Sequence, residues 1–193
     1  MPEESDACAV AHGAAPAPSH ANSPAAVPAA PPAAAPAAAR GGDRTLVAVF
    51  ASPVSGYLLR YAADAGYRTL LVEPDASRAD AAKMAGFPVL PAVPEDVEGA
   101  DVVVTDHHRD ELGVALRDAL AAKARWVGIM GNPHHAGPHV AALESLGVAP
   151  GEIAKVHRPI GLNIGSRTPS EIALSTLAGL IADRNDRPGG FSF

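Results

Sequence analysis

The chain is short of several things, beginning with cysteine: Cys8 is its only thiol. A single thiol excludes an intrachain disulfide and any cysteine ligand set for zinc, and it suits a reducing compartment. No apolar run approaches the roughly 20 residues that cross a bilayer, so no membrane span is expected. The start, Pro2-Glu3-Glu4-Ser5-Asp6, lacks the basic opening and unbroken apolar stretch of a secretory signal. These absences lead us to expect a cytoplasmic protein. Basic runs are missing too, and a formal net charge of −6 repels phosphate backbones, which argues against nucleic acid as a partner.

Large apolar side chains are missing from the amino-terminal part. From Ala7 to Ala39 the sequence is almost all Ala and Pro, with no Leu, Ile, Phe, Tyr or Trp. Such a stretch buries too little apolar surface to offset its ordering entropy, and its recurrent prolines break any long Ala helix. Residues 1–42 are therefore expected to be a disordered Ala/Pro-rich tail and 188–193 a flexible carboxyl terminus. Residues 43–187 are long enough for one domain with a core of its own.

Within that stretch the pattern alternates. Thr45–Phe50, Tyr67–Val72, Asp101–Thr105 and Trp126–Met130 are short apolar runs rich in β-formers, typical of strands covered on both faces. Phe87–Val93, interrupted by Pro88 and Pro91, reads as a short edge strand. Between them lie helical spacings. Ser52 serves as N-cap and Pro53 as first helical residue, with Gly66 as terminator, and a short helix is expected over Ser77–Ala85. Leu112, Ala115, Leu116, Ala119 and Leu120 share one face, and a further helix is expected from His135 to Leu146, capped by Gly147. Thr168, Pro169 and Glu171 form a capping box opening the last helix. Strands alternating with helices over short links predict a Rossmann-like, doubly wound α/β sheet, mostly parallel, whose ligands sit beyond the carboxyl ends of the strands.

The first turn lies where a dinucleotide fingerprint would be, but its glycines are absent: the chain reads Ala51-Ser52-Pro53-Val54-Ser55-Gly56. Side chains therefore stand where backbone must approach a pyrophosphate, which disfavours NAD(P). Glu73, about 20 residues into the unit where a ribose-binding acid belongs, is read as a solvated strand-end carboxylate. The histidines cluster: His107 and His108 follow one strand and His134 and His135 the next, with His139 a turn further on and His157 before another loop. With Asp106 and Asp110 they could assemble a metal site, but no H-x-x-x-H with a glutamate base is present. Asp106 also reads as an N-cap, and Asp110 and Glu111 suit a helix start. A polar ligand pocket is the preferred expectation. Pro159–Arg167, carrying Gly161, Gly165 and Arg167 into the last helix, reads equally as an anion cradle or as a loop whose glycines satisfy special dihedrals.

Four segments together resemble the Rossmann half of XdhC/CoxI proteins: Val104-Thr105-Asp106-His107-His108-Arg109-Asp110-Glu111-Leu112, Trp126-Val127-Gly128-Ile129-Met130-Gly131, His157-Arg158-Pro159-Ile160-Gly161-Leu162-Asn163-Ile164-Gly165 and Thr168-Pro169-Ser170-Glu171-Ile172-Ala173. The proteins of that family are accessory factors for xanthine dehydrogenase and related molybdenum hydroxylases. The resemblance implies binding of molybdenum cofactor (molybdopterin), its protection during sulfuration by a cysteine desulfurase, and delivery to the hydroxylase apoenzyme, by a chaperone with no catalytic residue of its own. It implies a ligand cleft lined by Asp106, His107, His108, Gly131, Asn132, His134, His135, Gly161, Asn163, Gly165, Ser166 and Arg167, and leaves a homodimer open. Two other functions remain in view: an NAD(P)-binding oxidoreductase, and a diverged regulatory Rossmann module.

Overall fold

The computed structural model describes residues 44–131 and 137–190. Its elements run β1 (Thr45–Val49), α1 (Pro53–Asp64), β2 (Arg68–Val72), α2 (Ala76–Met84), β3 (Val89–Leu90), β4 (Asp101–Val104), α3 (Leu112–Ala121), β5 (Trp126–Ile129), α4 (Pro138–Ser145), α5 (Pro150–Ile153), β6 (Val156–His157) and α6 (Pro169–Arg184). The six strands form one sheet in the order β3-β2-β1-β4-β5-β6, with every neighbouring pair parallel. The expected α/β class holds, and the short strand at Val89–Leu90 is at an edge as its flanking prolines require.

Two apolar layers sandwich the sheet. Alternate strand residues Val47, Val49, Val102, Val104, Val127 and Ile129 face α3, α4 and α5. Leu46, Ala48, Leu71 and Val103 face the other way, onto Leu58, Leu59 and Ala62 of α1 and Ala173, Leu177 and Leu180 of α6. This period-two division with apolar residues on both faces is why each strand reads as a continuous apolar run. At roughly 25 cal/mol per Å², each fully buried Leu or Val side chain stabilises the fold by about 1.5–3 kcal/mol before entropy is counted.

Strand order reverses between β1 and β4, which pair with Val49 opposite Val104. Helices α1 and α6 pack side by side on one face. Arg184, in the last turn of α6, reaches Asp101 at the start of β4 with an Nε–Oδ2 distance of 2.6 Å. Helix α6 therefore runs antiparallel to the strands and presents its amino end at their carboxyl edge, as α1 does.

Three details differ from the sequence expectation. Helix α4 begins at Pro138, after Gly137 as N-cap, and the anticipated start at His135 lies outside the described residues. The N-cap of α3 is Glu111, without a side-chain bond, and not Asp106. Asp106 is too far upstream, and its Oδ1 accepts from the His108 N–H at 2.9 Å in a turn of its own. The pair α5 and β6 was not foreseen, because four-residue and two-residue elements are too short to leave a periodic pattern.

Candidate functional site at the carboxyl edge

The turn after β1 is held by its own side chains. Ser52 caps α1 in a reciprocal box with Ser55: the Ser55 N–H donates to Ser52 Oγ at 3.0 Å and the Ser52 N–H to Ser55 Oγ at 2.8 Å. The Thr105 hydroxyl at the end of β4 donates to the carbonyls of Val49 (3.0 Å) and Phe50 (2.9 Å). That leaves the Ser52 hydroxyl as donor across the 3.1 Å that separate it from Thr105 Oγ1. The β1 and β4 loops are thus joined at the point where strand order reverses.

Glu73 corrects the sequence reading, for it is buried, not solvated, with its side chain fully inaccessible. Oε2 accepts from the Ala51 N–H at 2.7 Å and Oε1 from the Asp75 N–H at 2.9 Å. Arg109 completes the set with a two-pronged bond, Nη1 to Oε2 at 3.2 Å and Nη2 to Oε1 at 3.0 Å. Arg109 also lies over the Phe50 ring, 4.7 Å from its centroid, and meets Glu111 at 3.3 Å. Its pKa is raised, chiefly by the bonds to Glu73. Phe50 itself adopts a left-handed backbone, φ 72°, which is rare for a bulky residue and turns the chain out of β1 over this ion pair.

Beyond β4 and β5 lies a cluster of imidazoles and one arginine. His107 is half-buried and His108 exposed, with ring centroids 4.0 Å apart. His107 is bonded to the backbone of Met130, at the end of β5, which ties the β4 loop to the next strand. Gly131 follows Met130, and a Cβ there would stand 2.9 Å from Nε of Arg158, so this glycine makes room for the guanidinium. A Cβ on Gly137 would meet the same arginine at Cδ, 3.2 Å away, and the His139 ring at 2.4 Å. His139 is buried, and its Nδ1 has no hydrogen-bond partner among the described residues. Asn132, His134 and His135 lie outside the described residues.

In the glycine-containing loop Gly161 and Gly165 both take positive φ, 87° and 68°, the special dihedrals that were one of its two readings. Gly161 (φ 87°) packs on the middle of α6, where a Cβ would stand 2.8 Å from Ser175 Oγ and 3.2 Å from the Thr176 nitrogen. The Leu162 N–H bonds the Ser175 carbonyl at 3.1 Å, so the chain runs along the helix there. Asn163, Gly165 and Arg167 are exposed and Ser166 half-buried. At the amino end of α6, Glu171 Oε2 accepts from the N–H groups of Arg167 (2.9 Å) and Thr168 (3.0 Å), and the Glu171 N–H donates to Thr168 Oγ1 (3.3 Å). A carboxylate of the chain itself holds the position an external anion would take. The arginine beside the imidazoles is Arg158, two residues before Ile160, and not Arg167.

Among the described residues no group of three or more metal-ligating side chains converges. A hollow of about 650 Å³ flanks the start of β5, lined in part by Trp126 and His157 and by none of His107, His108 or His139. Of its charges, Lys155 pairs with Glu152 at 2.6 Å and Arg125 with Asp101 at 2.7 Å and Asp183 at 2.6 Å, while the exposed Lys123 joins no ion pair among the described residues.

Burial lowers the pKa of His107 and of His139 from the ordinary 6.5, and Arg158 pushes both in the same direction. In the unfolded chain both imidazoles protonate near pH 6.5, whereas the folded chain resists that proton. Their contribution is complete above pH 6.5 and is lost as pH falls below it. The melting temperature should therefore drop between pH 7.5 and 5.5, and His107→Asn combined with His139→Asn should flatten the drop. An unaltered pH profile in that double variant would contradict the assignment.

A family model for the XdhC Rossmann domain matches residues 46–180. The chain belongs to the XdhC Rossmann-domain family. YqeB of Escherichia coli K12 is 34% identical over 89 residues, 46% of this chain and 16% of YqeB. A crystal structure of a xanthine dehydrogenase from Bacillus halodurans matches with a TM-score of 0.59 at 22% identity, over 78% of this chain and 45% of that one. At that identity the likeness is one of fold. This chain covers 16% of the length of YqeB and a little under half, 45%, of the Bacillus halodurans chain. Arg109 and Arg158 lie within the segments that resemble the family, yet strand and helix periodicity does not mark either as a site residue. The signal that could have found them is position, since Arg158 directly follows β6 and Arg109 closes the short loop that leaves β4.

Proposed function

We propose that the chain is an accessory factor for molybdenum hydroxylases of the xanthine dehydrogenase type, which binds molybdenum cofactor at the carboxyl ends of β4 and β5. The observation that carries this reading is the meeting of Gly131, Arg158 and His107 there, in a chain of the XdhC family. The donor set fits a pterin that ends in a phosphate monoester. Arg158 supplies positive charge and paired N–H donors, the geometry that suits phosphate oxygens, beside a glycine that leaves space for it.

His107 donates one ring nitrogen to the Met130 carbonyl, and burial keeps the ring neutral, so its second nitrogen is left as an acceptor for a pterin N–H. His108, its ring tilted 40° against that of His107, is exposed. When bound, the cofactor would supply the molybdenum centre that a hydroxylase uses for substrate oxidation. The chain's part is to hold and shield it while a cysteine desulfurase sulfurates it and to hand it to the apoenzyme. No nucleophile paired with a base is found among the described site residues, which favours a chaperone over a catalyst.

An anaerobic titration of the full chain with molybdenum cofactor, with elemental analysis for molybdenum and zinc, tests the reading. Saturable binding is expected. Gly131→Val, which forces the guanidinium aside, should weaken it about tenfold, roughly 1.4 kcal/mol, while the melting temperature changes little. Absence of saturable binding to the unaltered chain would overturn the proposal, and so would equal affinity in the Gly131→Val variant.

A further inference from the structure

The half of the crevice next to β1 and β2 is closed by the chain itself. In a dinucleotide-binding Rossmann unit the N–H groups of the first turn take the pyrophosphate, and an acid at the end of the second strand takes the ribose hydroxyls. Here the Ala51 N–H donates to Glu73, the Ser52 N–H to Ser55 Oγ and the Ser55 N–H to Ser52 Oγ, while Pro53 has no N–H. Glu73 sits at the end of β2 with each oxygen accepting twice: Oε2 from Ala51 and Arg109, Oε1 from Asp75 and Arg109. A carboxylate has about four acceptor sites, and all four are filled. The space above it holds a guanidinium that is 11% exposed and lies on the Phe50 ring.

We propose that Arg109 is a specificity-determining residue: it occupies the ribose subsite from within the chain, excludes adenine dinucleotides, and directs any ligand to the β4–β5 half of the crevice. The residues at the first turn do not fit NAD(P), although the strand order does. A ribose diol could enter only by displacing Arg109, which would leave a buried carboxylate without its counter-charge and a guanidinium without its acceptors, a large penalty. Arg109 also ties the His107–His108 loop to β2, so the residue that shuts one subsite holds in place the loop that borders the other.

The experiment uses the full chain and ADP-ribose and NADH as probes, followed by calorimetry and nicotinamide fluorescence. The unaltered chain should show no saturable binding below about 1 mM, and Arg109→Ser, checked for folding by circular dichroism, should gain at least about tenfold for ADP-ribose. Should Arg109→Ser not fold, Arg109→Lys takes its place, keeping the charge beside Glu73 without the two-pronged bond, and a smaller gain is expected. Micromolar binding of either probe by the unaltered chain overturns the proposal, as does a folded Arg109 variant with no gain. Binding of molybdenum cofactor bears on the accessory role alone, so the two ideas fail separately.

Discussion

Glu73→Ala should destabilise the protein by about 3–5 kcal/mol, because it leaves a mostly buried guanidinium facing nothing but the weaker contact with Glu111. The lower end is the firmer expectation, since Arg109 keeps a narrow opening to water. Two backbone donors, the N–H groups of Ala51 and Asp75, lose their acceptor at the same time. Urea or thermal denaturation reads the loss directly. Glu73→Gln, which keeps one acceptor oxygen and the shape, should lose less than Glu73→Ala. A loss below about 1 kcal/mol for Glu73→Ala would mean that the carboxylate is solvated after all.

Gly161→Val should also be severely destabilising, by on the order of 3 kcal/mol, with two causes that act together. The position has φ 87°, in the region where a β-branched residue is most strained. Its Cβ would in addition press on Ser175 Oγ at 2.8 Å and on backbone atoms of Ser175 and Thr176 at 3.2 Å, and the helix backbone cannot retreat. A Cβ on Gly179 of α6 would likewise stand 3.2 Å from Gly161 Cα, so the loop rests directly on α6. Chemical denaturation of Gly161→Ala beside Gly161→Val separates the dihedral contribution from the steric one. A Gly161→Val chain as stable as the parent would show that the loop can lift from α6 at no cost.

The two predictions concern residues that a sequence reader treats very differently. Gly161 belongs to a motif and invites a ligand-binding role, yet its surroundings are helix backbone and a serine hydroxyl. Glu73 lies in the hydrophilic string Glu73-Pro74-Asp75 and invites dismissal, yet it is among the most deeply buried side chains of the molecule. Its surroundings could not be read locally, because its partners stand 22 residues upstream at Ala51 and 36 residues downstream at Arg109. Within the carboxyl-edge site the same division appears. His107, His108 and Gly131 were legible, each by following a β-rich run. Arg158 was not, because only the pairing of β5 with β6, with Gly128 opposite His157, swings it over Gly131.

What the sequence determined alone is everything set by local pattern: the alternation of strands and helices and the capping of α1 and α6. Both caps are formed as read, Thr168 in a reciprocal box with Glu171 and Ser52 as N-cap of α1, since each is completed within four residues. Period-two apolar runs covered on both faces likewise required a parallel sheet between helical layers. Tertiary structure alone decided which polar side chains are partnered inside the chain and which face solvent. That choice depends on residues brought together by strand order, where the approach of Arg109 turns an apparent surface acid into a buried ion pair and shuts half of the crevice.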